Sequence, residues 1–354
     1  MITAASPRAS RRTETRPRPT PPQRTPFPPS FIQLTGNFSA VTVQSPKFDL
    51  LSVTGPDESG REITQSLRIR RIEGTAPGPR VLITAGIHGA EYVGIETARR
   101  IALELNPDLV KGTLTVVALS NPGAFAARVP AVNPADGRNL NREFPGNAEG
   151  SITQRIAAEI TKLTLASDFH IDLHGGDVHE CLSAYVYVPG ACEASVTEKA
   201  RAAAEFVDVP VRVLSQATTG AYNSSAVLGV PSILIERGEG GRWSEEGVAA
   251  YRRDVASVLQ HLGVIVPGAL GLVNKPRHDQ REAPVAVYAG SAVDGLWYPT
   301  VRAGESFPAG ALLGILRDFE GREIKRVHAE FAGTVLYGSG TLFVPAGRDL
   351  VAYA

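Results

Sequence analysis

Imidazole and carboxylate groups able to share a divalent cation stand just beyond the ends of apolar runs in this 354-residue chain. His88 and Glu91, in His88-Gly89-Ala90-Glu91, follow directly on Val81-Leu82-Ile83-Thr84-Ala85-Gly86-Ile87. At that spacing across a turn, the two side chains can converge on one ion. His174, in Ile171-Asp172-Leu173-His174-Gly175-Gly176, is the candidate third ligand. Two histidines and one carboxylate leave a position open on a tetrahedral zinc, the composition of a catalytic rather than a structural site. Such a site acidifies water and polarises carbonyls, so the expected chemistry is hydrolysis with one Zn2+ per subunit. Asp172 is placed to accept a hydrogen bond from a ligand imidazole. Plainer readings exist for each residue. An isolated His-x-x-Glu is common on helix faces, a lone His174 reads as a bonded core histidine, and His179 competes as a ligand from its loop. The joint placement after expected strands is what carries the metal reading.

Glu236 ends another apolar run, Pro231-Ser232-Ile233-Leu234-Ile235. It is the candidate general base, taking a proton from water and returning it to a leaving nitrogen. The alternative is a paired carboxylate that caps the strand. Gly238, Gly240 and Gly241 follow and allow close approach of a substrate. Between these elements lies Asp136-Gly137-Arg138-Asn139-Leu140-Asn141-Arg142-Glu143-Phe144-Pro145-Gly146, a polar, turn-rich stretch. Its guanidinium and amide groups suit recognition of a carboxylate, which makes Arg138, Asn141 and Arg142 candidate substrate-binding residues. Ordinary surface ion pairing is the competing account of Arg138. Arg128 is a candidate for stabilising a developing oxyanion, a role worth about 2.7–4 kcal/mol per donor.

These groups need a scaffold that brings strand ends together. From Val81 the chain alternates strand and helix. Strands are expected over 81–85, 113–119, 168–173, 184–188, 211–214 and 232–235, and helices over 92–105, 153–165, 193–207 and 244–262. That alternation predicts an α/β fold, a mixed sheet sandwiched by helices. In such sheets functional groups gather outside the carboxyl ends of strands, where His88, His174 and Glu236 all fall. Residues 31–80 read as short strands and turns, including one around Asn37-Phe38. Residues 267–354 carry short β-type runs separated by Gly and Pro, the pattern of an all-β barrel or sandwich. The expected organisation is a disordered Arg/Pro-rich tail over 1–30, a catalytic domain over 31–266 and a small C-terminal all-β domain over 267–354.

Composition narrows the partners. The 36 basic and 36 acidic side chains cancel, so no overall field recruits nucleic acid or anionic membrane. No apolar run approaches the roughly 20 residues needed to span a bilayer. Cys181 and Cys192 lack metal or redox spacing and fit a reducing cytoplasm. Glu14 is the sole acid in the first thirty residues, among six arginines, but repeated prolines there preclude an amphipathic transit helix. Neither a Gly-x-Ser-x-Gly elbow nor a phosphate-binding P-loop occurs in the chain.

The ordered motifs Gly86-Ile87-His88-Gly89-Ala90-Glu91, Asp136 to Arg142 with Phe144-Pro145-Gly146, Asp172-Leu173-His174-Gly175-Gly176 and Pro231 to Glu236 carry a resemblance. Over roughly residues 60–354 the chain resembles the succinylglutamate desuccinylase/aspartoacylase family of the zinc-carboxypeptidase-like superfamily. The resemblance implies hydrolysis of an N-acyl amide, with His88, Glu91 and His174 binding zinc and Glu236 as base. It also implies that Asn141 and Arg142 hold a substrate carboxylate, with Arg128 matching the carbonyl-polarising arginine. Here Asn141-Arg142 follows Arg138-Asn139-Leu140 rather than Asp-Leu, and Gly176-Asp177-Val178-His179-Glu180 is a further variation, so the acyl group and amino acid stay open.

The expected function is therefore a zinc-dependent amidohydrolase, or deacylase, acting on a small N-acyl amino acid in the cytoplasm. A metallocarboxypeptidase for short peptides and a non-catalytic binding protein are the alternatives. Nucleic acid and membrane are not expected partners; a homo-oligomer and a second metal are left open.

Overall fold

The strand Phe169–His174 explains most of the architecture. All six residues are buried, yet apolar and polar side chains alternate along it: Phe169, Ile171 and Leu173 against His170, Asp172 and His174. Successive side chains of a strand point to opposite faces. One face of this strand therefore joins an apolar layer, and the other forms a polar stripe that burial obliges to be hydrogen-bonded.

The computed structural model describes residues 48–354. The expected tail over 1–30 and the turn around Asn37-Phe38 lie outside the described residues. Among the described residues a nine-stranded mixed sheet runs in the order Asp49–Pro56, Glu62–Glu73, Lys111–Leu119, Ala76–Ala85, Phe169–His174, Ser232–Glu236, Tyr185–Pro189, Val211–Ser215, Arg281–Ala283. Phe169–His174 sits at its centre, parallel to Ala76–Ala85 on one side and to Ser232–Glu236 on the other. The expected α/β fold with helices on both faces is what the structure has. Helices Tyr92–Glu104, Ala194–Ala204 and Glu245–His261 cover one face, contributing Ala98, Ile101, Ala200, Val255 and Leu259 to a cluster with Val81, Ile83, Ile171 and Leu173. Helix Ile152–Leu165 covers the other face, where Ile152, Ile156 and Ile160 meet Leu67, Leu82 and Val117.

Register does the positioning. Glu236 is the Cα partner of His174, Leu234 of Asp172 and Ser232 of His170. On the other side Thr84 is the partner of Asp172 and Ala85 of Leu173. The strand ends are held together from the helical layer: the Tyr251 hydroxyl, fully buried, lies 3.0 Å from the His174 carbonyl and 2.6 Å from that of Ile235, sharing one proton between them. Gly175 then passes so close to Arg237 that a Cβ there would overlap the Arg237 carbonyl oxygen.

Two helices escaped the periodicity reading, Pro122–Ala127 and Ala221–Val227, because each is under two turns. From Val287 on, the C-terminal part is antiparallel β, in line with the expected all-β region, around a core of Trp297, Leu313, Leu316, Val335 and Leu350. The two regions interlock across the expected border at 266. Arg281–Ala283 adds to the large sheet beside Val211–Ser215, and Glu180–Leu182 pairs with Gly333–Ser339 of the β region.

Removing the Tyr251 hydroxyl tests this tie. Tyr251→Phe takes this donor from the Ile235 and His174 carbonyls, the latter still bonded by the Arg237 backbone N–H, and is expected to destabilise the fold by about 0.5–1.5 kcal/mol, read as a lower denaturant midpoint.

Candidate active site

His88 and Glu91 sit on the turn that connects Ala76–Ala85 to helix Tyr92–Glu104, rather than on a helix face. Gly86 starts that turn with φ of 68°, a left-handed conformation that a β-branched residue resists. Glu91 occupies the position before the first helical residue but caps nothing with its side chain. Its carboxylate turns instead to the two imidazoles. Oε1 lies 2.6 Å from His88 Nδ1, and Oε2 lies 3.0 Å from His174 Nδ1. The imidazole rings meet edge to face at 4.9 Å.

Each histidine has its outer nitrogen occupied. His88 Nε2 is 3.3 Å from Asn139 Oδ1, and His174 Nε2 is 3.2 Å from Asp172 Oδ2. A carboxylate can only accept, so the His174 proton belongs on Nε2 and its Nδ1 faces inward. The inward atoms of His88, Glu91 and His174 all lie within 4.8 Å of one another, a group able to hold a metal ion. Glu91 Oε2 is buried and makes no hydrogen bond, although His174 Nδ1 lies 3.0 Å away. An orphaned carboxylate oxygen facing an inward lone pair is what a cation between them would satisfy, so the donor set fits a metal.

The electrostatics agree. Burial works to raise the Glu91 carboxyl, but His174 and His88 outweigh it and hold the group below its ordinary range. Burial works to lower His174, yet Glu91 and Asp172 keep it well above the usual imidazole range. The position thus calls for positive charge. Burial pushes the Glu236 carboxyl well above the usual carboxylate range; His174 opposes this, while Glu91, Glu180 and Asp172 reinforce it.

These groups open into a cavity of about 500 Å³ that also takes in Asn141, Arg142 and Glu236. Glu236 has no ion pair among the described residues, unlike a carboxylate that merely caps a strand. Asn141 Oδ1 accepts from the Ala221 backbone N–H at 3.0 Å, holding the start of helix Ala221–Val227 to the cavity wall. Arg142 reaches only the Asn141 carbonyl, at 3.4 Å, and keeps the rest of its donors unused by acidic partners among the described residues. Two expected site residues are not brought here. Arg138 is exposed and pairs with Glu143 at 3.2 Å, while Arg128 is an exposed residue with φ of 56° that ends helix Pro122–Ala127. Neither lines the cavity. His179 is likewise outside the wall of this cavity, although it lines an adjoining one.

Other wall residues had no signal in the sequence. Tyr288, Tyr337, Arg348 and Asp349 come from the C-terminal β region, more than a hundred residues beyond His174. Tyr187 and Tyr288 join hydroxyl to hydroxyl at 2.6 Å across the two regions, and Tyr337 donates to Asp349 Oδ2 at 2.7 Å. Asp177 and Glu180 add acidic character; burial, with help from Asp177 and Glu91, pushes Glu180 up to about 8.

Comparison with known proteins agrees with this geometry. A curated relative, the N-alpha-acetyl-L-2,4-diaminobutyric acid deacetylase of Halomonas elongata, is 28% identical over 295 residues, covering 82% of this chain and 84% of its own. Among solved structures, the product-bound ectoine utilization protein of Ruegeria pomeroyi superposes with a TM-score of 0.75 at 22% identity, over 86% of this chain and 93% of that one. The succinylglutamate desuccinylase/aspartoacylase of Rhodobacter sphaeroides does so with a TM-score of 0.72 at 24% identity, over 86% and 94%. At those identities the structural likeness speaks for the fold. The family model for the succinylglutamate desuccinylase/aspartoacylase catalytic domain matches residues 77–262, more than half of the chain and the whole of the ligand cluster with Glu236, and the chain belongs to that family.

Proposed function

We propose that this protein is a zinc-dependent deacylase that hydrolyses the amide of a small N-acyl amino acid. The observation that carries the reading is the convergence of the His88–Glu91–His174 cluster and an unpaired Glu236 on one cavity. His88 and His174, each through Nδ1, and the Glu91 carboxylate would hold the ion. Zinc bound there supplies Lewis acidity, polarising a carbonyl and lowering the pKa of a water from about 15.7 to about 7.

The chain's own groups account for the proton. Glu236 takes a proton from the attacking water as its oxygen bonds to the acyl carbon, then gives that proton to the nitrogen as the C–N bond breaks. The acid keeps the water oxygen and the amine leaves neutral at the scissile nitrogen. Arg142 and Arg348 offer guanidinium groups for a substrate carboxylate, with the bidentate geometry that suits one. Arg128 and Arg138 take no part in this proposal because they lie outside the cavity wall.

The same cavity carries Asp177 and Asp349, so anionic and cationic substrate groups both find partners. That supports an N-acyl amino acid whose side chain is an amine, as in the compound named for the Halomonas relative. The tyrosine and arginine wall from the β region disfavours a long peptide, which separates this reading from a carboxypeptidase. With two free cysteines, Cys181 and Cys192, we place the enzyme in the cytoplasm.

Glu236→Gln is expected to bind zinc as the wild type does while losing at least about a hundredfold in kcat; turnover close to wild type would remove Glu236 as the base. His174→Ala is expected to lose stoichiometric zinc by metal analysis after dialysis. In a hydrolysis screen, N-acetyl-2,4-diaminobutyrate should outrun N-acetylaspartate and N-succinylglutamate, and rates should fall as peptide substrates lengthen. A preference for peptides would favour the carboxypeptidase instead, and no hydrolysis across the screen would favour a binding role.

A further inference from the structure

The polar stripe of Phe169–His174 continues past the groups used so far. Thr84, the register partner of Asp172, places Oγ1 2.6 Å from Asp172 Oδ1 and 2.7 Å from His170 Nε2. His170 Nδ1 is in turn 2.8 Å from Ser225 Oγ on helix Ala221–Val227. Thr84, His170 and Asp172 are entirely removed from solvent, and Ser225 nearly so. No step of the proposed hydrolysis touches Thr84, His170 or Ser225.

Counting protons gives the chain a direction. Asp172 can only accept, so Thr84 must spend its one hydroxyl proton on Asp172 Oδ1 and accept from His170. His170 then carries its proton on Nε2. Burial pushes its pKa down to about 4, so the ring is neutral and Nδ1 is left to accept from Ser225. Ser225 Oγ also lies 2.8 Å from the Ala221 carbonyl, and its one proton serves either acceptor. With Oδ1 engaged by Thr84, Asp172 presents Oδ2 to the Nε2 proton of His174.

We propose that Thr84 and His170 are positioning residues: with Ser225 they form a directed hydrogen-bond chain that orients Asp172 and fixes the tautomer and ring angle of His174. The proposal rests on the metal reading of His174. Outer partners of a metal-bound histidine typically contribute about 10–100-fold to metal affinity, even though they never touch the ion. Asn141, at the cavity wall, accepts from the first backbone N–H of helix Ala221–Val227, and Ser225 of that helix meets His170, so the chain links that wall to His174.

The test is zinc affinity, measured on stripped full-length protein in competition with a chromophoric chelator. Thr84→Val keeps the branched shape and removes the hydroxyl; it is expected to weaken zinc binding about 10–100-fold. Thr84→Ser, which restores the hydroxyl, is expected to return affinity to the wild-type range, a rescue that packing alone does not predict. Cobalt(II) substitution should show a shifted visible band in Thr84→Val and not in Thr84→Ser. Should Thr84→Val fail to fold, His170→Gln, which keeps a donor toward Thr84, is compared with His170→Leu in the same assay, the glutamine variant binding more tightly. Equal zinc affinity within the folded pair overturns the chain. A wild-type protein that binds no zinc overturns the metal reading beneath it, which is a separate outcome.

Discussion

Everything at the centre of this molecule depends on keeping several carboxylates out of water without leaving them unpaired. Asp172 is fully buried and Glu91 nearly so, and Glu236 lies beside them on the next strand. A buried carboxylate with no partner is costly enough that proteins neutralise it, pair it or give it a metal. Asp172 is paired by Thr84 and His174. Glu91 is set between two imidazoles, with one oxygen left over. Glu236 keeps its freedom because it stands at the strand end, where the cavity begins. Three carboxylates thus have three different environments within one patch of sheet, and the roles proposed for them follow from those differences.

The sheet converts this requirement into geometry. Parallel register lines up the ends of Ala76–Ala85, Phe169–His174 and Ser232–Glu236, so groups distant in sequence emerge along one edge. The apolar face of the same strands, packed on three helices, supplies the cohesion that offsets the cost of the polar face. Tyr251 bridges the two layers by fastening the His174 carbonyl at the end of one site strand and the Ile235 carbonyl one residue before the end of the other. A single strand, alternating between core and site, serves stability on one side and chemistry on the other.

Much of this was legible in the residues. Long apolar runs marked the central strands, helical spacing marked the longer helices, and His88, Glu91, His174 and Glu236 each stood where a strand stops. The short helices Pro122–Ala127 and Ala221–Val227 carried too few turns to show a period. Phe-His-Ile-Asp-Leu-His was also informative. Its strict alternation is ordinarily the mark of a half-exposed strand, and only the structure shows that its polar side is as buried as its apolar side. That distinction hid His170, whose partners Thr84 and Ser225 are far away in sequence. The arginines could not be told apart for a related reason: Arg128, Arg138 and Arg142 have the same chemistry, and whether one ends a short helix in solvent, pairs with Glu143 or lines the cavity is decided by tertiary packing.

The interlocking of the two regions separates what the site does from what it recognises. The ligand cluster and Glu236 belong wholly to the large sheet and its turns, whereas Tyr288, Tyr337, Arg348 and Asp349 come from the β region. Glu180–Leu182 stitches that region into place by pairing with Gly333–Ser339, directly alongside the cavity. Substitutions confined to the β region can thus reshape the wall while every group of the reaction centre keeps its neighbours. Such a division lets the β region tune which groups the cavity admits, with the stitched strand Glu180–Leu182 as the element that keeps the module in reach.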